Sequence, residues 1–429
     1  MSSEKMKILW VKSGGLVPLD HGGKIRSFHL AKVLASTHDV TLFTFDQPGN
    51  EGAHAELKDI FSRVIFVPLS VPGQKSSQEY INYARNLFSS HPYSERKYCQ
   101  PHIAQKLREH LSHESYDVVL CDFLLTAGVI PWDLQGLRVL FTHNVEAQIW
   151  RRHFQVAKNP IWKAACYREF RTMSNMERHY LQAAEHVLAV SEADKEIFSA
   201  FVDKDKVSVV PTGVDSDYFR PMHELEEHNT LVFTGSMDWM PNEDGIIHFV
   251  SEILPLIRKE VPDVSLWVVG RRPSTKLRKI MDQIPRVTVT GRVDDVRPYM
   301  AKASVYVVPL LVGGGTRLKI FEAMGMGKAV VSTSIGAEGL PVIPGKEIVL
   351  ADLPEEFARQ TISLLRSSAK REELGRSARL LVEQGYSWNA VGTRLSEDLI
   401  KLVEKFHGNV SKRPSLGPAA SAVEATTRK

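Results

Sequence analysis

Cysteine is scarce. Three residues of 429, Cys99, Cys121 and Cys166, show no metal-type spacing, and so odd and sparse a set argues for reduced thiols in a cytosolic compartment. Long apolar runs are absent too, none reaching the roughly 18 residues that span a bilayer. The lysines near the start precede a short apolar run broken by Lys12, Ser13 and Gly14, which reads as a first strand and not as a signal peptide. Neither sign of charge is in excess, with 54 basic against 50 acidic residues, so nucleic acid is not expected as a partner. The glycine-containing loop after the first strand lacks G-x-G-x-x-G spacing, and a dinucleotide cofactor is not expected. What is present is the composition of a globular protein, 43% hydrophobic and 24% charged. The length suggests two domains of about 200 residues, each able to bury a full core.

Strand-like runs at 7–11, 40–45, 64–68, 118–121, 139–142, 187–190 and 207–210 are mostly separated by helical patterns, which predicts a doubly wound parallel sheet. The segment 209–221, VVPTGVDSDYFRP, and the polar run 223–229 have linker composition. A second strand and helix series opens at Leu231. Ligands of such sheets collect at the carboxyl ends of strands. The loop 13–26, SGGLVPLDHGGKIR, lies at one such end, and His143 follows the 139–142 run at another. Taken alone, a histidine there is more simply a satisfied structural residue.

The chain is organised around residues 304–340, SVYVVPLLVGGGTRLKIFEAMGMGKAVVSTSIGAEGL. A buried strand is expected at 305–310, then a turn with Gly313, Gly314 and Gly315, then a helix from Thr316. Glycines let backbone approach a ligand, and the free N–H groups of a helix start point at an anion. Arg317 and Lys319 put cations where the macrodipole disfavours them, so an anion is expected to compensate. Glu322 falls three residues beyond Lys319 on the same side, where a carboxylate can accept two hydrogen bonds from a diol. The plainer alternative is a loop with solvated charges.

Residues 149–180 are helical in pattern, basic and aromatic, with Pro160 expected to split them into two helices. They can be read as a surface for anionic lipid or a phosphorylated acceptor, or as helices with a solvated basic face. The lack of a uniform basic stripe favours the second. Residues 76–116 look like another helical insertion.

The 304–340 stretch resembles the donor-binding signature of the GT-B glycosyltransferases of family 4, of the kind written GGGTRLKxxEAMAxGxPVV. The resemblance implies that Glu322 binds the nucleotide ribose, whereas a first glutamate usual in the family falls on Gly314. Gly22 and Gly23 match a pair approaching the donor diphosphate, and THNVE matches a motif whose His143 contacts the donor sugar. VVPTGVDSDYFRP is similar to the family's interdomain segment. Gly235 and Ser236 match the next loop, but Ser236 and Pro241 stand where many members carry a diphosphate-binding arginine and lysine. Gly291 and Val293, in GRVDD, match the loop that reads the base.

The resemblance implies an α/β GT-B fold, two doubly wound Rossmann-like domains facing an interdomain cleft. The expected division is an acceptor-side domain at 1–215, a linker at 216–229, a donor-binding domain at 230–385, a helix at 386–407 crossing back, and a disordered tail at 408–429. It implies a retaining hexosyl transfer from a UDP- or GDP-sugar to a glycan, lipid-linked or small-molecule acceptor, in polysaccharide or glycoconjugate biosynthesis. No metal and no cofactor are expected, and the location is cytoplasmic, with peripheral contact at the inner membrane face. Two alternatives stay open: a catalytically silent nucleotide-sugar or glycan-binding subunit, and a sugar-nucleotide epimerase. The latter would need its own acid/base carboxylates, and no such constellation is visible.

Overall fold

The computed structural model describes residues 5–19, 22–73, 76–134, 136–312 and 318–410. Its strands fall into two sheets in which every pairing is parallel. The first contains β1 (Lys7–Ser13), β2 (Asp39–Asp46), β3 (Arg63–Pro68), β4 (Val118–Asp122), β5 (Leu137–Phe141), β6 (His186–Ala189) and β7 (Val207–Val209). Their order is β3-β2-β1-β4-β5-β6-β7. Every residue of β4 and β5 is buried, as expected for strands covered by helices on both faces. The second sheet contains β8 (Thr230–Thr234), β9 (Ser265–Val269), β10 (Val287–Gly291), β11 (Val305–Val308), β12 (Val330–Ser332) and β13 (Val349–Leu350), ordered β10-β9-β8-β11-β12-β13. These are two doubly wound Rossmann-like domains. Each sheet reverses its winding at one crevice, between β1 and β4 in the first and between β8 and β11 in the second.

Pro160 does divide the basic segment, into helices Glu146–Val156 and Pro160–Ala183. Proline is tolerated at the first helical position, where its missing N–H would have no partner, and Asn159 caps the next two N–H groups. The 76–116 insertion forms helices Ser77–Asn86, Tyr93–Tyr98 and Pro101–His113.

The last described helix, Trp388–Val410, packs on the first domain against helix Gly22–Thr37. The His29 ring stacks on Trp388 at 5.0 Å, and His38 Nε2 lies 2.7 Å from Ser396 Oγ. A Cβ on Gly392 would come within 2.5 Å of Val33, so glycine permits the close crossing. The helix corrects one expectation. Residues 408–410, assigned to a disordered tail for want of apolar bulk, continue it, because i→i−4 hydrogen bonds extend a helix past its last packed residue. Residues 411–429 lie outside the described residues. No described helix is long and apolar enough to cross a membrane.

Candidate functional site

In the first domain, the crevice between β1 and β4 is floored by a buried polar network. Asp122 ends β4 fully buried and receives the Trp10 indole Nε1–H on Oδ2 at 2.7 Å. Lys12 Nζ lies 3.4 Å away, and His143 Nε2 lies 2.7 Å from the other carboxyl oxygen. Burial pushes this carboxyl up, but Lys12 and the His143 bond outweigh it and hold Asp122 below the usual carboxylate range. Burial also lowers His143, to about 4, against the opposing pull of Asp122, so the ring is neutral near pH 7. The consequence is a defined tautomer. A neutral ring facing a carboxylate donates through Nε2–H, which leaves Nδ1 as an acceptor. Nδ1 is buried and has no hydrogen-bond partner among the described residues.

Arg26, fully buried in helix Gly22–Thr37, donates to the Thr142 carbonyl at 2.9 Å and to the Val210 carbonyl, and its guanidinium sits 4.2 Å above the Phe141 ring. Burial lowers its pKa to about 9, leaving it charged. It ties the ends of β5 and β7 together beneath His143. Gly22 and Gly23 open this helix beside β1, half-buried at its N-terminus.

A second buried acidic group lies just beyond His143. The Glu146 backbone N–H, at the start of its helix, donates to Glu177 Oε1 at 2.9 Å. Burial and then the Glu146 charge push Glu177 up to about 8, and burial raises Glu146 as well.

In the second domain, Gly235 and Ser236 follow β8. Gly270, after β9, is held so close that a Cβ on it would fall 1.8 Å from the Gly235 carbonyl oxygen. Lys319 Nζ donates to Asn242 Oδ1 at 2.6 Å and lies 4.4 Å from the Phe233 ring centroid. Asn242 Nδ2 donates in turn to the Ser236 carbonyl at 2.8 Å. A Cβ on Gly235 would meet both Asn242 and Lys319 at 2.7 Å, so helix Leu318–Gly325 and the loop after β8 share one crevice.

The Ser236 hydroxyl is already engaged: it donates to Asp238 at 2.5 Å and accepts from Arg271 Nε at 2.6 Å. Arg271 thus brings a guanidinium beside position 236, from the next loop of the sheet.

Glu322 stands one turn beyond Lys319, half-buried; burial raises its carboxyl to about 7, with Lys319 working against the rise. Gly291 ends β10 with φ +74°, the left-handed region that favours glycine, and Val293 packs on the second core. Gly313, Gly314, Gly315, Thr316 and Arg317 lie outside the described residues. Among the described residues no group of three or more His, Cys, Asp or Glu is placed to hold a metal ion.

The two crevices face each other across close contacts. Leu318, at the start of its helix, joins the apolar cluster that contains Leu16 of the first domain. Arg152 Nη2 donates to Glu338 Oε1 at 2.6 Å, and a Cβ on Gly339 would come within 2.7 Å of Ser191.

Sequence reasoning missed Asp122, Arg26, Asn242 and Arg271. A lone acid closing an apolar strand and two arginines directly after a strand-end glycine were signals on hand for Asp122 and Arg271. Nothing in the helical pattern marks Arg26 as buried.

Comparison with known proteins places these crevices in context. A family model described as glycosyl transferases group 1 matches residues 228–367, and one described as glycosyltransferase family 4 matches residues 22–218. A Klebsiella pneumoniae protein, named an uncharacterized 44.6 kDa protein in the cps region, is 24% identical over 89% of this chain and 96% of its own length. The phosphatidyl-myo-inositol mannosyltransferase of Mycobacterium tuberculosis is 26% identical over 48% of this chain, and the match spans 57% of that enzyme. Among solved structures, the sucrose-phosphate synthase of Thermosynechococcus elongatus superposes with a TM-score of 0.71 at 18% identity, over 94% of this chain and 100% of the other. HepE of Anabaena in complex with UDP-glucose gives 0.65 at 15% identity, over 92% and 100%. These structures share the two-domain fold.

Proposed function

Since the chain belongs to the group 1, family 4 glycosyltransferases and has their GT-B fold, we propose that it moves a hexosyl group, with retention, from a UDP- or GDP-sugar to a glycan, lipid-linked or small-molecule acceptor. The observation that carries the reading is the crevice between β8 and β11, where Lys319, Asn242 and the Gly235–Ser236 backbone converge. In the proposal the donor diphosphate lies there, against the start of the Leu318 helix and residues 313–317 that precede it. Arg317, Lys319 and Arg271 supply cations, Arg271 standing in for the arginine that Ser236 displaces. Glu322 takes the ribose hydroxyls, and the Gly291–Val293 loop reads the base. Gly22 and Gly23 approach the diphosphate from the other side.

Breaking the anomeric bond gathers negative charge on the departing phosphate. Cations and N–H groups aimed there stabilise that charge more than the ground state. His143 contacts the donor sugar and does not remove a proton from the acceptor. Its neutral ring supports the contact with the sugar, because Nδ1 can accept from a sugar hydroxyl while Nε2–H stays on Asp122. No metal is required, and no carboxylate pair performs a double displacement. The acceptor binds to the first domain, and the enzyme works in the cytoplasm, peripheral to the inner membrane face.

Thermal shift with nucleotide sugars tests the reading. A ligand at 100 times its dissociation constant adds about 2.7 kcal/mol to stability. A UDP- or GDP-sugar is expected to raise the melting temperature. Arg317→Ala and Lys319→Ala should each weaken affinity about tenfold or more, since a hydrogen bond to a charged group contributes roughly 1.5–3 kcal/mol. An undiminished shift in both variants refutes the placement of the phosphates. A second reading rests on the engaged Ser236 hydroxyl. Donor binding without release of nucleoside diphosphate, to any acceptor or to water, would mark a silent binding subunit instead.

A further inference from the structure

The first domain exposes apolar side chains in one region to an extent that its core does not need. Seven consecutive residues, Lys158 to Ala164, are exposed at the tip where helix Glu146–Val156 turns into helix Pro160–Ala183. Ile161 is 82% exposed there, and Phe88, in the turn after helix Ser77–Asn86, is 97% exposed. Tyr80 and Leu87 are exposed as well.

The two groups belong to one surface. Arg168, two turns along from the tip, donates to the carbonyls of Asn86, Ser89 and His91 and so fastens the Phe88 turn to the long helix. Trp150 and Trp162 stand 6.3 Å apart, which holds the two arms of the tip together.

The charge around these side chains has one sign. In the segments 76–98 and 147–175 the acids are Glu79, Glu95 and Glu169, and each is bound to a cation or histidine of the protein: Lys97, His91 and Arg168. Arg85, Arg151, Lys158 and Lys163 are exposed and have no carboxylate partner among the described residues, Lys163 lying over the Phe154 ring. Isolated exposed apolar residues are ordinary, but a cluster rimmed by uncompensated cations marks an interaction site. An interfacial element has this composition, with apolar groups for the acyl boundary and cations for anionic headgroups.

We propose that the 156–164 tip and the 80–88 turn form a docking surface for an anionic lipid bilayer. Ile161, Trp162 and Phe88 enter the interface while Lys158, Lys163 and Arg85 lie on the headgroups. The surface sits at the far end of the helix that starts just after His143. Its 11 residues put the bilayer about 16 Å from that histidine. The inference rests on the peripheral placement proposed above and not on the identity of the donor.

The test is co-sedimentation of the full chain with vesicles of phosphatidylcholine alone or with added phosphatidylglycerol. Binding is expected only with the anionic vesicles, weakened by salt, and accompanied by a blue shift of tryptophan emission that Trp162→Phe removes. The double variant Phe88→Ser, Ile161→Ser should lose at least tenfold in partition. Because both side chains are exposed, its melting temperature should stay within a few degrees of the parent, and its response to nucleotide sugars reports the donor site separately. Failure to sediment with anionic vesicles overturns the proposal, as does equal sedimentation of the double variant. Self-association of the chain through these residues without vesicle binding would also overturn it.

Discussion

Glu177 folds with a proton in place. The group is 4% exposed, and its pKa of about 8 lies far above the value near 4.3 of an unfolded glutamate. The folded chain therefore binds a proton that the unfolded chain releases. Its contribution is complete below the unfolded value and is lost as pH rises through about 8. The unfolding free energy, measured by urea titration, is expected to fall between pH 5 and pH 9 by on the order of a few kcal/mol, and Glu177→Gln should flatten that slope. Equal slopes in the two proteins would show that the carboxyl is already ionised. The pair it forms with Glu146 spans 31 positions and has no motif, so the sequence alone could not reveal it. His143 stood out because it follows an apolar strand directly, although only the resemblance of THNVE to the family motif gave it a role toward the donor. Its partner Asp122 was not, because the contact depends on β4 and β5 lying side by side in the sheet.

Helix Leu318–Gly325 owes its position to a crossing with helix Ser368–Gly385, at which a Cβ on Gly375 would fall 1.9 Å from the Gly327 carbonyl oxygen. Gly375→Ala must push the two segments apart and is expected to cost about 1–3 kcal/mol in a urea titration. An alanine accommodated without loss would mean the crossing yields easily. Displacement would also carry Lys319 and Glu322 away from the loop after β8. The strands of both sheets were readable as β-branched apolar runs bounded by turn residues, except β13. With two residues it is too short to carry a period. The end of the last helix was misplaced because 407–410 are mostly polar, and periodicity follows packing and not backbone hydrogen bonds.

At the scale of the molecule, the Arg152–Glu338 pair at 2.6 Å joins the two domains. With side chains 15% and 33% exposed, it should add no more than about 1 kcal/mol to stability. Its effect is expected in shape: Arg152→Ala should enlarge the radius of gyration of the unliganded enzyme in solution scattering, with little change in melting temperature. An unchanged radius would assign the closed arrangement to other contacts. The two-domain plan was legible because each half repeats the strand and helix alternation, whereas the pairing across the cleft, 186 positions apart, was not. The polypeptide passes between the domains near Val214 and again near Ser387, and these passages touch, with the Val214 N–H bonded to the Tyr386 carbonyl at 2.7 Å. Two covalent connections lying side by side oppose sliding of one domain along the cleft more than rotation about their common line.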